Sequence, residues 1–320
     1  FRSADALEGL VIGEEERRLL HDPGRPIVLL RKEDTRHSAG EGCGSDGDSP
    51  DVAPSVSRGL HTLGVMLPYA PIHHLLFSRL QTDALVMTSG NPSEVPLIHT
   101  HEEAERRLSD IADASLLYNR EIHNRCDDSV VMAVAGQKRV IRRSRGMVPS
   151  PIALPFPVEG IVAGGAELKG CCAVGKEEAA ILSQHIGDLK NYETRLFYRE
   201  TMNRFIELFH VEPRSAVCDL HPDYASTREM RALGLPVTEV QHHHAHIASV
   251  LAERGIEGPV IGVAFDGTGY GDDGAVWGGE FLLCDLCGYE RVSQLGYVPL
   301  PGGDRAAEEP WRMALSHLLQ

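Results

Sequence analysis

The chain of 320 residues has no apolar run near the roughly 20 residues that a membrane-spanning helix needs, which excludes that class of membrane protein. It also lacks a secretory leader pattern. It opens Phe1-Arg2-Ser3 without a methionine and reads as an internal stretch of a longer protein. Positive charge is scarce, with 31 Lys and Arg against 46 Asp and Glu, a net −15 that argues against a nucleic-acid-binding surface. Paired cysteine motifs are lacking too. The seven cysteines (Cys43, Cys126, Cys171, Cys172, Cys218, Cys284, Cys287) are odd in number and irregular in spacing, so reduced thiols and a cytoplasmic protein are expected. The lone C-x-x-C pair, Cys284 and Cys287, has no second pair near it and reads as a strand end.

Hydrophobic residues make up 42% of the chain, enough for packed cores, and the length suggests two domains. Prolines at 149, 151, 155 and 157 mark a stiff linker, with the boundary expected near residue 156. Before it, Pro26–Leu30 reads as a strand, His37–Ser55 as a polar loop, His73–Leu80 as a helix and Ala84–Thr88 as a buried strand. That strand runs into the polar turn Ser89-Gly90-Asn91-Pro92-Ser93, at the kind of strand end where α/β proteins gather ligand contacts. A helix over His101–Asp110 is followed by a hairpin, Ser129–Ala135 and Lys138–Arg143. Lys138, Arg139, Arg142, Arg143 and Arg145 form the one dense basic cluster, suited to phosphate or to solvent.

After the linker, strands are expected at 160–164, 171–175 and 179–183. The amphipathic helix Tyr192–Phe209 should bury Leu196, Tyr198, Met202, Phe205, Ile206 and Phe209. Strand, helix, strand and helix follow at 215–220, 222–233, 236–240 and 244–254, then a hairpin of 259–265 with 275–284. This is the order of an actin/hexokinase-like lobe followed by the start of its duplicate.

The chemistry concentrates at Val240-Gln241-His242-His243-His244-Ala245-His246 and Asp266-Gly267-Thr268-Gly269-Tyr270-Gly271. If the first segment opens a helix, His242 and His246 share a face and both imidazoles reach one metal ion. Asp266 ends an apolar strand-like run beside glycines that admit a ligand to the backbone, and it is the natural third ligand. Two imidazoles and a carboxylate suit Fe, Zn or Mn alike. His243 and His244 are not assigned to the metal.

Several motifs resemble known families. Ser89-Gly90-Asn91, Arg125-Cys126-Asp127-Asp128-Ser129-Val130 and Arg142-Arg143-Ser144-Arg145-Gly146 resemble the YrdC-like domain. The later segments look like an actin-like carbamoyltransferase domain: Gly164-Gly165-Ala166-Glu167-Leu168-Lys169, Ser183-Gln184-His185-Ile186-Gly187-Asp188-Leu189, Asp219-Leu220-His221-Pro222, the histidine and Asp266 segments, and Leu300-Pro301-Gly302-Gly303-Asp304. Joined in this order they resemble the HypF family of carbamoyltransferases, which mature nickel–iron hydrogenase.

The resemblance implies an α/β fold with two parts: a YrdC-like domain over 1–155 lacking its N-terminal part, and an actin/hexokinase-like (ASKHA) domain over 156–320 with an incomplete second lobe. It implies carbamoyl phosphate and ATP as substrates, with Mg and one divalent metal, Fe or Zn, as cofactors. Carbamoyl adenylate would form in the first domain. The second would pass the carbamoyl group to the C-terminal cysteine of the partner HypE, toward the cyanide ligands of the hydrogenase. Ser89, Asn91, Ser129, Arg142 and Lys169 would bind nucleotide, and His242, His246 and Asp266 the metal; no catalytic residue is assigned. Further family parts, an acylphosphatase domain, zinc fingers and another metal-binding aspartate, would lie outside this sequence, and the fragment alone would be poorly active. The alternatives are a natural-product O-carbamoyltransferase, a non-catalytic ATP-binding scaffold, and the tRNA threonylcarbamoyl-adenosine system.

Overall fold

The computed structural model describes residues 1–33, 52–93 and 95–319. Cys43 and most of the polar loop expected over His37–Ser55 lie outside the described residues. The chain divides into two compact units, Phe1–Pro149 and Ser150–Gln320.

The first unit contains β1 (Leu10–Val11), α1 (Glu14–Leu20), β2 (Ile27–Lys32), β3 (Thr62–Val65), α2 (Pro71–Arg79), α3 (His101–Leu108), β4 (Val130–Val134) and β5 (Gln137–Arg142). They build a five-stranded sheet in the order β1-β2-β4-β5, with β3 also paired to β2. β2 runs parallel to β4 and antiparallel to β1 and β3. Alternation along β2 buries Val28 and Leu30 against Leu19 and Leu20 of α1 and Val131 of β4. α3 is capped by Thr100, whose hydroxyl accepts from the Glu103 N–H.

Ala84–Thr88 is not the buried strand that its apolar composition predicts. It belongs to no ladder, and Val86 and Met87 are exposed. Hydrophobicity alone cannot make a strand without a neighbour to take its hydrogen bonds.

The second unit begins with β6 (Ile152–Ala153), from within the proline-rich stretch, then β7 (Ile161–Ala163), β8 (Ala173–Lys176), β9 (Ala179–Leu182), α4 (Tyr192–Leu208), β10 (Ser215–Asp219), α5 (Ala225–Ala232), β11 (Val237–Val240) and α6 (His242–Arg254). The sheet order is β11-β10-β7-β8-β9-β6. β7, β10 and β11 are parallel neighbours, so their C-terminal ends open on one edge. α4 buries Phe197, Tyr198, Met202 and Phe205. Leu196, expected inside, is exposed; its neighbour Phe197 takes the core position. The Tyr198 hydroxyl donates to the Gly164 carbonyl at 2.7 Å, tying α4 to the end of β7.

A smaller antiparallel sheet follows, with β12 (Val260–Ala264), β15 (Glu280–Cys284) and β16 (Tyr289–Gln294) in that order. The short ladder of β13 (Gly269–Tyr270) and β14 (Val276–Trp277) is inserted between β12 and β15. Ile247 and Leu251 of α6, one helical turn apart, pack on Ala264, Trp277, Leu282 and Cys284. Cys284 is buried and Cys287 exposed, both as free thiols. Helices α7 (Arg305–Glu308) and α8 (Trp311–Leu318) close the described chain.

Candidate metal centre

α6 starts at His242, two residues before the sequence expectation, because Gln241 is its N-cap and accepts from the His244 N–H at 3.0 Å. It ends at Gly255, whose φ of 64° is the left-handed conformation that favours glycine. His242 and His246 therefore stand one turn apart on one face, with ring centroids 4.8 Å apart. His243 and His244 turn into the protein. His243 is fully buried near Trp277, and the His244 Nε2–H donates to the Asp285 carbonyl at 2.9 Å. They lock α6 onto the small sheet and leave the side that faces Asp266 to the other two.

Asp266 follows β12 and turns its carboxylate to that pair. Its Oδ2 lies 2.9 Å from His242 Nε2 and 3.5 Å from His246 Nε2, and the two Nε2 atoms are 3.2 Å apart. The ligand atoms of His242, His246 and Asp266 all lie within 4.8 Å of one another. This donor set, two imidazoles and a carboxylate, fits a divalent ion.

Behind His242 stands Asp219, the last residue of β10. Its Oδ2 accepts the Nδ1–H of His242 at 2.6 Å, and its Oδ1 accepts the His221 N–H at 2.8 Å. The hydrogen bond to Asp219, then that to Asp266, pushes the His242 imidazole up to about 9. The bonds from His242 and then His246 hold the Asp266 carboxyl well below the usual carboxylate range. Burial drives His243 the other way, so it is neutral, as its packing role requires.

Glu167, in the loop after β7, accepts the Ala225 N–H at 2.6 Å and fixes the start of α5. This bond and the Asp219 turn delay α5 by three residues from its expected start at Pro222. Tyr224 lies among these groups: burial first, then the charges of Asp219, Asp266, Glu167 and Asp304, pushes its phenol up to about 12. Its ring stacks on His221 at 4.1 Å. Lys169 lies in the same loop, exposed, with φ 49° and its N–H donating to the Asp188 carboxylate at 2.7 Å. An open groove of about 570 Å³ runs between α6 and β12, bordered by His246, Val250, Ile261, Val263, Phe265 and Asp266.

Asp219 and Tyr224 escaped the sequence reading as site residues. Asp219 had carried the same signal as Asp266: an acidic residue ending an apolar strand, Ser-Ala-Val-Cys-Asp.

In the first unit, Asn91 donates from Nδ2 to the carbonyls of Pro92 and Val95, while Ser89 is exposed. Arg142 donates from Nε to the Asp128 carbonyl and lies 3.8 Å from the Asp127 carboxylate. No described hydrogen bond or ion pair joins Ser89 or Asn91 to Ser129 or Arg142. Ser129 is fully buried; its hydroxyl donates to the Arg145 carbonyl and accepts the Ser144 N–H. It holds the loop after β5, and its own hydrogen bonds are spent there.

Residues 157–253 match the family described as HypF Kae1-like domain, and residues 262–320 match Carbamoyltransferase, Kae1-like Domain, second subdomain. Residues 2–144 match the Sua5/YciO/YrdC family, described as Telomere recombination. A carbamoyltransferase HypF2 of Cupriavidus necator is 45% identical, covering 96% of this chain and 39% of that protein. The chain is similar to HypF carbamoyltransferases along nearly its whole length. The carbamoyltransferase HypF of Rhizobium leguminosarum bv. viciae is 43% identical over 95% of the chain and 39% of its own length. A crystal structure of a full-length HypF in the phosphate- and nucleotide-bound form superimposes with a TM-score of 0.87 at 45% identity, covering 99% of this chain and 48% of that one. The HypF of T. kodakarensis gives 0.86 at 40% identity, with 97% and 39% covered. The chain thus spans about two fifths of the length of the curated HypF relatives, and its fold is the α/β pairing of a YrdC-like with an actin-like, Kae1-like domain. No described helix is long and apolar enough to cross a membrane.

Proposed function

We propose that this chain carries two steps of an ATP-dependent carbamoyl transfer that serves hydrogenase maturation. Carbamate, released from carbamoyl phosphate, attacks the α-phosphorus of ATP in the YrdC-like unit. Pyrophosphate leaves and carbamoyl adenylate forms. In the actin-like unit the C-terminal thiolate of HypE attacks the carbamoyl carbon, the C–O bond to AMP breaks, and a thiocarbamate results. Carbamate alone is a poor electrophile, and adenylation supplies its leaving group.

The observation that carries this reading is the convergence of His242, His246 and Asp266, backed by Asp219, within the stretch matched to the HypF carbamoyltransferase domains. A divalent metal bound there would polarise an oxygen of the carbamoyl group or of a nucleotide phosphate. The protein's own residues hold the frame. Asp219 fixes His242, Glu167 fixes the start of α5, and the exposed Lys169 offers a cation to a phosphate. In the YrdC-like unit, Ser89, Asn91 and Arg142 would contact ATP and its Mg, with Ser129 supporting the arginine-bearing loop. The nucleotide-bound HypF relative supports ATP as the co-substrate.

The test is product analysis. The protein, supplied with the acylphosphatase domain that the resemblance places outside this sequence, is incubated with ATP, carbamoyl phosphate and HypE; pyrophosphate and AMP are measured, and the HypE tail is weighed by mass spectrometry. Pyrophosphate release that requires carbamoyl phosphate, with a carbamoylated terminal cysteine, is expected. Nucleotide turnover indifferent to carbamoyl phosphate would refute the proposal, and carbamoylation of an added sugar hydroxyl in place of the thiol would favour the O-carbamoyltransferase alternative.

A further inference from the structure

We propose that Asp219 is a positioning residue: it accepts the Nδ1–H of His242 and holds that imidazole with Nε2 aimed at the space shared with His246 and Asp266. This inference rests on the metal reading above and adds a residue that the metal-ligand set does not include.

The geometry assigns the role in three ways. First, the two Asp219 oxygens have separate partners. Oδ1 accepts the His221 N–H at 2.8 Å and Oδ2 accepts His242 Nδ1–H at 2.6 Å, so the carboxylate cannot rotate without losing one bond. Secondly, Asp219 is the last residue of a central strand. It pairs in register with Val240 of β11, two residues before His242, so parallel strand ends bring carboxylate and imidazole side by side. Its carbonyl accepts the Thr227 hydroxyl of α5, which pins the backbone from the other side. Thirdly, the contact is dry, with side-chain exposures of 6% for Asp219 and 14% for His242. A charged acceptor shielded from water fixes a ring more firmly than a surface one.

Free imidazole distributes its proton between both nitrogens. A carboxylate on Nδ1 selects the tautomer whose lone pair is on Nε2, the atom 2.9 Å from Asp266 and 3.2 Å from His246 Nε2. Carboxylate partners of this kind orient metal-bound histidines and raise their basicity. Among the described residues, the His246 ring hydrogen-bonds or pairs only with Asp266 and His242, both through Nε2, and its side chain is 56% exposed. The pair is therefore asymmetric, with His242 as the preset ligand.

The experiment compares the native protein with Asp219→Asn and Asp219→Ala, using His246→Ala as the ligand-removal control. Metal-stripped protein is titrated with Zn²⁺ against a chromophoric chelator. Long-range ¹H–¹⁵N spectra report the His242 tautomer above the pH at which the ring loses its second proton. We expect Asp219→Ala to weaken Zn²⁺ binding by about 10–100-fold, with Asp219→Asn, which keeps the shape and one acceptor oxygen, in between. The native tautomer should be Nδ1–H, and Asp219→Ala should shift it toward Nε2–H. Circular dichroism establishes folding, and if the alanine variant unfolds, the near-isosteric asparagine variant decides. Unchanged affinity with an unchanged tautomer in a folded variant overturns the proposal. A native protein that takes up no Zn²⁺ at this cluster overturns the metal reading instead, and the tautomer measurement alone then judges Asp219.

Discussion

Gly269 lies directly against His243: a Cβ on Gly269 would fall 2.5 Å from the imidazole Cε1 and 3.1 Å from the Cβ of His242. The backbone of β13 thus rests on the first turn of α6, and this contact sets how close the Asp266 loop comes to the histidines. Gly269→Ala should push the two apart. We expect a loss of about 1–3 kcal/mol in unfolding free energy from overpacking, with weaker metal uptake. Denaturant melts and chelator competition measure both; a variant that matches the native protein in each would show that the contact is slack.

Removing one ligand should empty the centre. His246→Ala and Asp266→Ala each leave two of the three donors. Metal analysis after dialysis should show lost occupancy in both, while far-ultraviolet circular dichroism stays native for His246→Ala, whose ring is largely exposed.

The metal-free centre should be pH-dependent in a defined direction. His242 is raised to about 9 in the folded protein, first by Asp219 and then by Asp266. Its ordinary value is near 6.5. The folded state therefore binds the proton more tightly, and the resulting stability is complete below about 6.5 and lost as pH rises through about 9. Asp266 works in the opposite direction: its depressed carboxyl contributes above the usual carboxylate range and is lost on acidification. A metal must displace the His242 proton, so its apparent affinity should climb over the window from about 6.5 to 9. Thermal melts in chelator and Zn²⁺ titrations across that window check both signs.

In the first unit, two variants should part company. Ser129→Ala leaves the Ser144 N–H and the Arg145 carbonyl without their partner inside the protein. It should cost roughly 1–3 kcal/mol of stability. Arg142→Ala should raise the ATP concentration needed for pyrophosphate release and leave metal occupancy unchanged. A variant with native ATP dependence would remove Arg142 from the proposed nucleotide site.

The outer edge of β12 should govern solubility. β12 is the end strand of its sheet, and Ile261, Val263 and Phe265 are exposed along it. Apolar edge strands recruit other strands. Ile261→Lys should increase the soluble fraction of this 320-residue chain, measured after centrifugation. An unchanged fraction would mean that the edge is already protected.

The sequence by itself determined the local elements. Long periodic stretches such as Tyr192–Leu208, and the strand-ending motif at Asp266, carry signals that survive in any context. It also determined that His242 and His246 share a face, because a four-residue spacing at a helix start puts them there whatever the helix packs against. It could not determine which neighbouring histidines turn inward, since that depends on Gly269 and Trp277 arriving from β13 and β14. It could not reveal Asp219 as the partner of His242, 23 residues apart, because parallel pairing of β10 with β11 brings them together. Nor could it tell that Ala84–Thr88 joins no ladder while Ile152–Ala153 does. Side-chain pattern is written in the chain, but strand neighbours and hydrogen-bond partners across long separations are set only when the sheets assemble.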